Sequence, residues 1–114
     1  MFILEGKLNL DSVAKLDHAI FRVTLEDVTM VDVSSIIVAA MEGNITGSKI
    51  TVIPFHLRVD ATVSDSRRYV LRGELRISCE DQLCVGDFIS TVAIPWTPNS
   101  TDRCWSIPLR RIKG

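Results

Sequence analysis

Apolar and polar residues alternate along most of this chain with a period of two, the signature of half-buried β-strands rather than helices. In "FILEGKL" (2–8), Phe2, Leu4 and Gly6 share one face and Ile3, Glu5 and Lys7 the other. In "AIFRVTLED" (19–27), Phe21, Val23 and Leu25 alternate with Arg22, Thr24 and Glu26, a strand with one wet face. "KITVIPFHLRVD" (49–60) sets Ile50, Val52 and Pro54 against Ile53, Phe55, Leu57 and Val59. Pro54 brings no N–H to a ladder, so this strand is predicted to carry a bulge or to lie at a sheet edge. "RRYVLRGELRISCE" (67–80), "QLCVGDFISTVAIPW" (82–96) and "CWSIPLRRI" (104–112) complete the set. "SSIIVAAMEG" (34–43) is the one segment that could be drawn as a short helix, but it lacks polar residues at helical spacing.

Turn signals at "EGNITGSK", "VSDSR", "CEDQ" and "TPNSTDR" separate these runs, and His18 falls in a connection after Asp17. The pattern predicts one all-β domain over residues 1–114. Its expected form is an antiparallel β-sandwich of about seven strands, immunoglobulin-like or prealbumin-like in general architecture. Within "VTLEDVTMVDVSS" (23–35), Asp27 is expected to end a strand and Asp32 to open the next turn, each capping nearby backbone N–H groups. "VTM" between them would carry the chain from one sheet to the other.

Composition changes this picture little. Of the 114 residues, 46% are hydrophobic and 24% charged, as in ordinary globular domains. Thirteen basic residues against 14 acidic ones give a net charge of −1, which argues against nucleic acid as a partner. The one basic cluster, "PLRRIKG" (108–114), reads as the charged end of a terminal strand. No run approaches the roughly 20 apolar residues of a membrane helix. No export signal stands at the start, so the chain would be cytoplasmic if Met1 is its native beginning.

Candidate chemistry is sparse. His18 and His56 have no neighbouring nucleophile motif to serve, and Glu26, Asp27 and Asp32 lack the alternating spacing of a calcium loop. No catalytic residue, metal site or cofactor is therefore expected. Two readings are open for Cys79, Cys84 and Cys104: a disulfide between Cys79 and Cys84 across a tight turn, or three small buried hydrophobes. Asn44 and Asn99 begin glycosylation triplets, which matter only in a eukaryotic secretory setting.

Two binding classes follow. A protein partner, or a second copy of the chain, could add to an open sheet edge at residues 49–59, presenting Ile50, Val52, Pro54 and His56, or at residues 2–8. A small apolar ligand or carbohydrate could instead bind between sheets or at the end carrying Trp96 and Trp105.

The ordered set "LEGKL", "LDHAIFRVTLEDVTMVDVSSIIVA" (16–39), "IPFHLRVD" (53–60), "YVLRGELRI" (69–77) and "LCVGDFISTVAIP" (83–95) resembles the YbaY/YscW family of small bacterial β-sandwich proteins. That family includes lipoproteins and the β-type pilotins of type III secretion. Its strand–acid–strand phrase corresponds to Leu25, Glu26, Asp27, Val28 and Asp32, and its glycine–aspartate–aromatic phrase to Gly86, Asp87 and Phe88. The resemblance implies a non-enzymatic envelope protein of the periplasm or outer membrane, which in the pilotin branch escorts a secretin subunit. A lipid-attachment cysteine near Met1 is missing from this sequence.

Overall fold

A computed structural model describes residues 1–30, 33–77, 83–100 and 104–113. The chain is all-β among these residues, with six strands: β1 (Phe2–Asp27), β2 (Ile36–Val59), β3 (Tyr69–Arg76), β4 (Phe88–Ile89), β5 (Ile94–Trp96) and β6 (Trp105–Arg111).

β1 organises everything else. One of its edges pairs antiparallel with β2 from Phe2↔Val59 to Asp27↔Ile36. Its other edge is divided: Gly6–Leu10 pairs parallel with β6, and Ile20–Asp27 pairs antiparallel with β3. Between these two stretches the register with β2 shifts repeatedly, from Asn9 to Ala19, and the strand bends there. β4 then bridges β3 and β6, so β1, β6, β4 and β3 close into a small mixed barrel. β2 lies outside on β1, and β5 outside on β3.

The expected antiparallel sandwich of about seven strands is thus corrected to a four-stranded mixed barrel with two outer strands. Two predicted pairs of strands are each one continuous strand. Residues 2–8 and 19–27 are the two halves of β1, and 34–43 and 49–60 largely the two halves of β2. The segment at 34–43 that could have been a helix is extended from Ile36 onward. His18 lies within β1, not in a connection, and the predicted turn at "EGNITGSK" is strand. The sharp bend implied by its glycines is present locally, for Gly47 has φ 154° and Lys49 has φ 57°, a left-handed conformation uncommon outside glycine. The predicted strand at 82–96 contains only the short β4 and β5. "VTM" (28–30) is not strand but part of the β1–β2 connection.

The core fills the barrel and the cleft under β2. Leu8, Val23, Leu25, Leu57, Leu71, Leu75, Phe88, Ile107 and Leu109 are fully buried. Alternation accounts for this set, because inward residues along β1, β2, β3 and β6 sit two apart. Close approach demands glycine at Gly6: a Cβ there would lie 2.3 Å from the carbonyl oxygen of Trp105 and 2.6 Å from the Phe55 ring.

Candidate docking edge and aromatic cleft

β2 is an end strand of the sheet, so the edge expected at residues 49–59 is where the sequence placed it. Val52, Pro54 and His56 are exposed on its outer face and Ile50 is half-buried, while Ile53, Phe55, Leu57 and Val59 point into the core. His56 Nε2 stands 3.6 Å from Glu5 of β1, both side chains well exposed. In the second expected edge, residues 2–8, every residue pairs with β2 and Gly6–Leu8 pair with β6 as well, so among the described residues only Phe2–Glu5 have a side without a ladder partner.

Trp96 and Trp105 do not form one binding end. Trp96 is buried, stacked on Phe2 with ring centroids 5.5 Å apart and meeting Tyr69 edge-on at 5.6 Å. This trio anchors β5 and the start of β1 to β3 through offset and edge-to-face ring contacts. Trp96 also floors a half-open cleft of about 370 Å³, lined by Phe2, Leu4, Val63, Thr97, Pro98 and Ser100. Trp105 is half-buried opposite Gly6 in the β1–β6 pair and does not line that cleft.

The cysteines depart from the reading of three buried hydrophobes. Cys84 is half-buried and disulfide-bonded, and Cys104 carries a free thiol on an exposed residue. Cys79 and Asp32 lie outside the described residues.

Asp27 caps as expected and does more. Its Oδ1 accepts from the Thr29 backbone N–H at 2.9 Å and from the Thr29 hydroxyl at 2.6 Å, the Asx pattern that ends a strand. Its Oδ2 accepts from the Arg67 guanidinium. The Thr29 hydroxyl in turn accepts from the Arg68 N–H at 2.9 Å, and Val28 N–H donates to the Arg68 carbonyl at 2.8 Å. The end of β1 is thereby clamped to the segment leading into β3. The Thr29 hydroxyl first, then Arg67, stabilise the ionised Asp27 and lower its pKa from 3.8 to about 2; the same contact raises that of Arg67.

Asp87 is a second structural carboxylate, fully buried. It accepts from the backbone N–H groups of Ile77 and Cys84, each at 2.7 Å, while its own backbone carbonyl accepts from Ile112 at 2.7 Å. Gly86 beside it has φ 95°, which fits glycine alone without strain. Of the glycine–aspartate–aromatic phrase, then, Gly86 turns the chain, Asp87 ties the ends of β3 and β6 to the turn, and Phe88 fills the barrel. Sequence reasoning placed that phrase only through a resemblance, since nothing in its local spacing tells a buried carboxylate from a surface one.

The outer face of β1, β2 and β3 carries opposed charges. Arg76 lies 3.1 Å from Glu42, Arg22 3.7 Å from the same carboxylate, and Arg72 3.5 Å from Glu26. A shallow polar groove of about 170 Å³ runs among Arg22, Glu26, Arg72, Glu74 and Ser90. Among the described residues no group of three or more His, Cys, Asp or Glu side chains is placed to hold a metal ion. Among them, too, no helix is long and apolar enough to cross a membrane.

No family model matches the chain, and no curated protein matches it. Among solved structures, it is similar to an alternative pilotin from the type II secretion system of Vibrio cholerae, with 19% sequence identity and a TM-score of 0.81. The match covers 99% of this chain and 98% of the pilotin, so the two share one fold from end to end.

Proposed function

We propose that this protein is a non-enzymatic, pilotin-like escort of the bacterial envelope, which holds a secretin subunit by an open sheet edge. The observation that carries the reading is the end-to-end likeness in fold to a secretion-system pilotin. The exposed edge of β2 supports it, because unpaired strand backbone is a ready docking surface for another chain. The ordered segments that resemble the YbaY/YscW family are in keeping with the same class of envelope protein.

The test is affinity capture from the envelope of the native host, with the whole chain as bait and bound proteins identified by mass spectrometry. The outer-membrane secretin is expected as the dominant species, and its amount in the outer membrane should fall when the gene for this chain is deleted. Capture of no envelope protein above background, together with unchanged secretin, would sink the escort reading.

A second reading rests on the Trp96 cleft, whose volume and aromatic floor suit a small apolar ligand. It predicts a rise in melting temperature and a change in tryptophan fluorescence with an added fatty acid or aryl glycoside. Flat responses across such a panel count against it.

A further inference from the structure

Among the described residues β2 pairs with β1 alone and presents a free edge along its length, yet its two halves are finished differently. Beyond Ile45 the edge is irregular and polar. Gly47 and Lys49 take positive φ, Pro54 lacks an N–H, and His56 and the Arg58–Asp60 pair stand exposed. Proline, kinks and charge are the devices that keep other strands off an edge. From Ile36 to Ile45, "IIVAAMEGNI", these devices are nearly missing. The single charge is Glu42, already matched by Arg76 and Arg22 on the sheet face. Ile36 and Ile37 are 58% and 50% exposed, and the adjoining connection adds Met30 and Val33 at 59% and 57%. One bulge interrupts this stretch, at Val38; from Ala39 to Ile45 the register with β1 is unbroken.

Resting on the escort reading, we propose that Ile36–Ile45 is the edge that receives the partner, as an added strand from an extended, uncharged, apolar segment. Such a segment would hydrogen-bond to the outward backbone groups of β2 and cover Ile36 and Ile37 with its own alternating side chains. Because Glu42 is neutralised within the fold, the edge calls for no charge from its occupant.

A second copy of the chain fits worse. An isologous antiparallel pairing centred on this stretch sets Ile36 against Ile45 but the exposed Ile37 of each copy against the polar Asn44 of the other. Sliding the centre toward Ile36 brings the apolar ends together but places the Val38 bulges of both copies in the contact.

The probe is a set of overlapping synthetic peptides spanning the host's secretin, titrated onto the whole protein, with amide hydrogen exchange followed residue by residue. At least one apolar peptide is expected to bind and to slow exchange within Ile36–Ile45. Ile37→Lys should weaken that binding on the order of tenfold, while Val92→Lys, at an exposed apolar residue outside β2, leaves it unchanged; both variants should unfold like the parent protein. Binding of peptide or whole secretin that protects a different segment, or that survives Ile37→Lys, overturns the edge assignment and leaves the escort reading standing. Concentration-dependent dimerisation abolished by Ile37→Lys would assign the edge to a second copy and overturn the proposal. If neither the peptides nor the intact secretin subunit binds, the escort reading fails and this inference with it.

Discussion

The two halves of the β1–β2 ribbon have the same strand pairing and opposite surroundings. In the half formed by Phe2–Asn9 and Val52–Val59, β6 flanks β1, and Ile53, Phe55, Leu57 and Val59 of β2 are at most 3% exposed. In the half formed by Ala19–Asp27 and Ile36–Ile45, β3 flanks β1, and no β2 residue is fully buried. Backbone pairing alone therefore does not make a strand part of the core. One half of β2 is held by full apolar burial, the other by its ladder to β1, by charge pairs across the sheet face and by partial packing of Val38, Ala39, Met41 and Ile45 on the core. Burial and edge protection divide along the same line: the half that buries its side chains fully also has a guarded edge, and the half that covers them only in part has a bare one.

Truncating a side chain in each half should separate them most. Leu57→Ala is expected to cost about 2–5 kcal/mol, because it removes a fully buried side chain and leaves a cavity. Met41→Ala, at a half-buried position, should cost no more than about 1 kcal/mol. Urea unfolding of the two variants checks this, and equal losses would break the comparison.

Glycine substitutions give the next largest contrast. Gly6→Ala would drive a Cβ into the Trp105 carbonyl at 2.3 Å, a backbone atom that moves only if the β1–β6 pairing opens. A loss of about 1–3 kcal/mol is expected. In Gly43→Ala the Cβ meets the Phe21 ring at 2.7 Å, a buried side chain but one that can turn about its own bonds without opening a strand pair. Its loss should be the smaller of the two in the same unfolding assay.

A smaller effect comes from the clamp that closes the open half. The Asp27 pKa is depressed in the folded state, so its contribution is complete above the unfolded value near 3.8 and is lost as pH falls through about 2. Stability measured against pH should therefore decline between these values more steeply in the parent protein than in Asp27→Asn. Parallel curves would show that the Thr29 and Arg67 contacts do not favour the charged form. The least perturbing probe is a thiol reagent without reductant, which should modify the exposed Cys104 and spare the disulfide-bonded Cys84. Mass spectrometry of the labelled chain distinguishes them.

Much of the fold was legible in residue order. Alternation separated the two faces of β1 and of the second half of β2, because a pleated strand forces neighbouring side chains to opposite faces whatever the sheet does. Pro54 marked an edge strand, since a missing N–H is tolerated only where no neighbour needs it. Asp27 was recognisable as a cap from its place between two β-forming runs. The strand count was not legible, because turn-forming residues at 9–18 and 42–49 bend a continuous strand here instead of ending it. Whether a bend keeps its ladder depends on a partner bending with it, and here the irregular part of β1 faces that of β2, Leu16 pairing with Gly47 between Ala14↔Ile50 and Ala19↔Ile45.

The candidate site was legible only by halves. An open edge on β2 followed from Pro54, but the unguarded part of that edge is 36–45, and it emerged only once β2 proved to be one strand with one partner. Trp96 and Trp105, close in sequence, are separated because β5 pairs with β3 and β6 with β1.

The order of residues by itself determined that the chain is all-β, which faces of its strands turn inward, and that no recognisable catalytic motif accompanies them. These are local consequences of pleat, propensity and spacing. Closure of β1, β6, β4 and β3 into a barrel, the parallel β1–β6 pair and the burial of Asp87 were decided by tertiary structure. Each joins segments far apart in the chain, and their stability comes from side chains and backbone groups that meet only when the barrel closes.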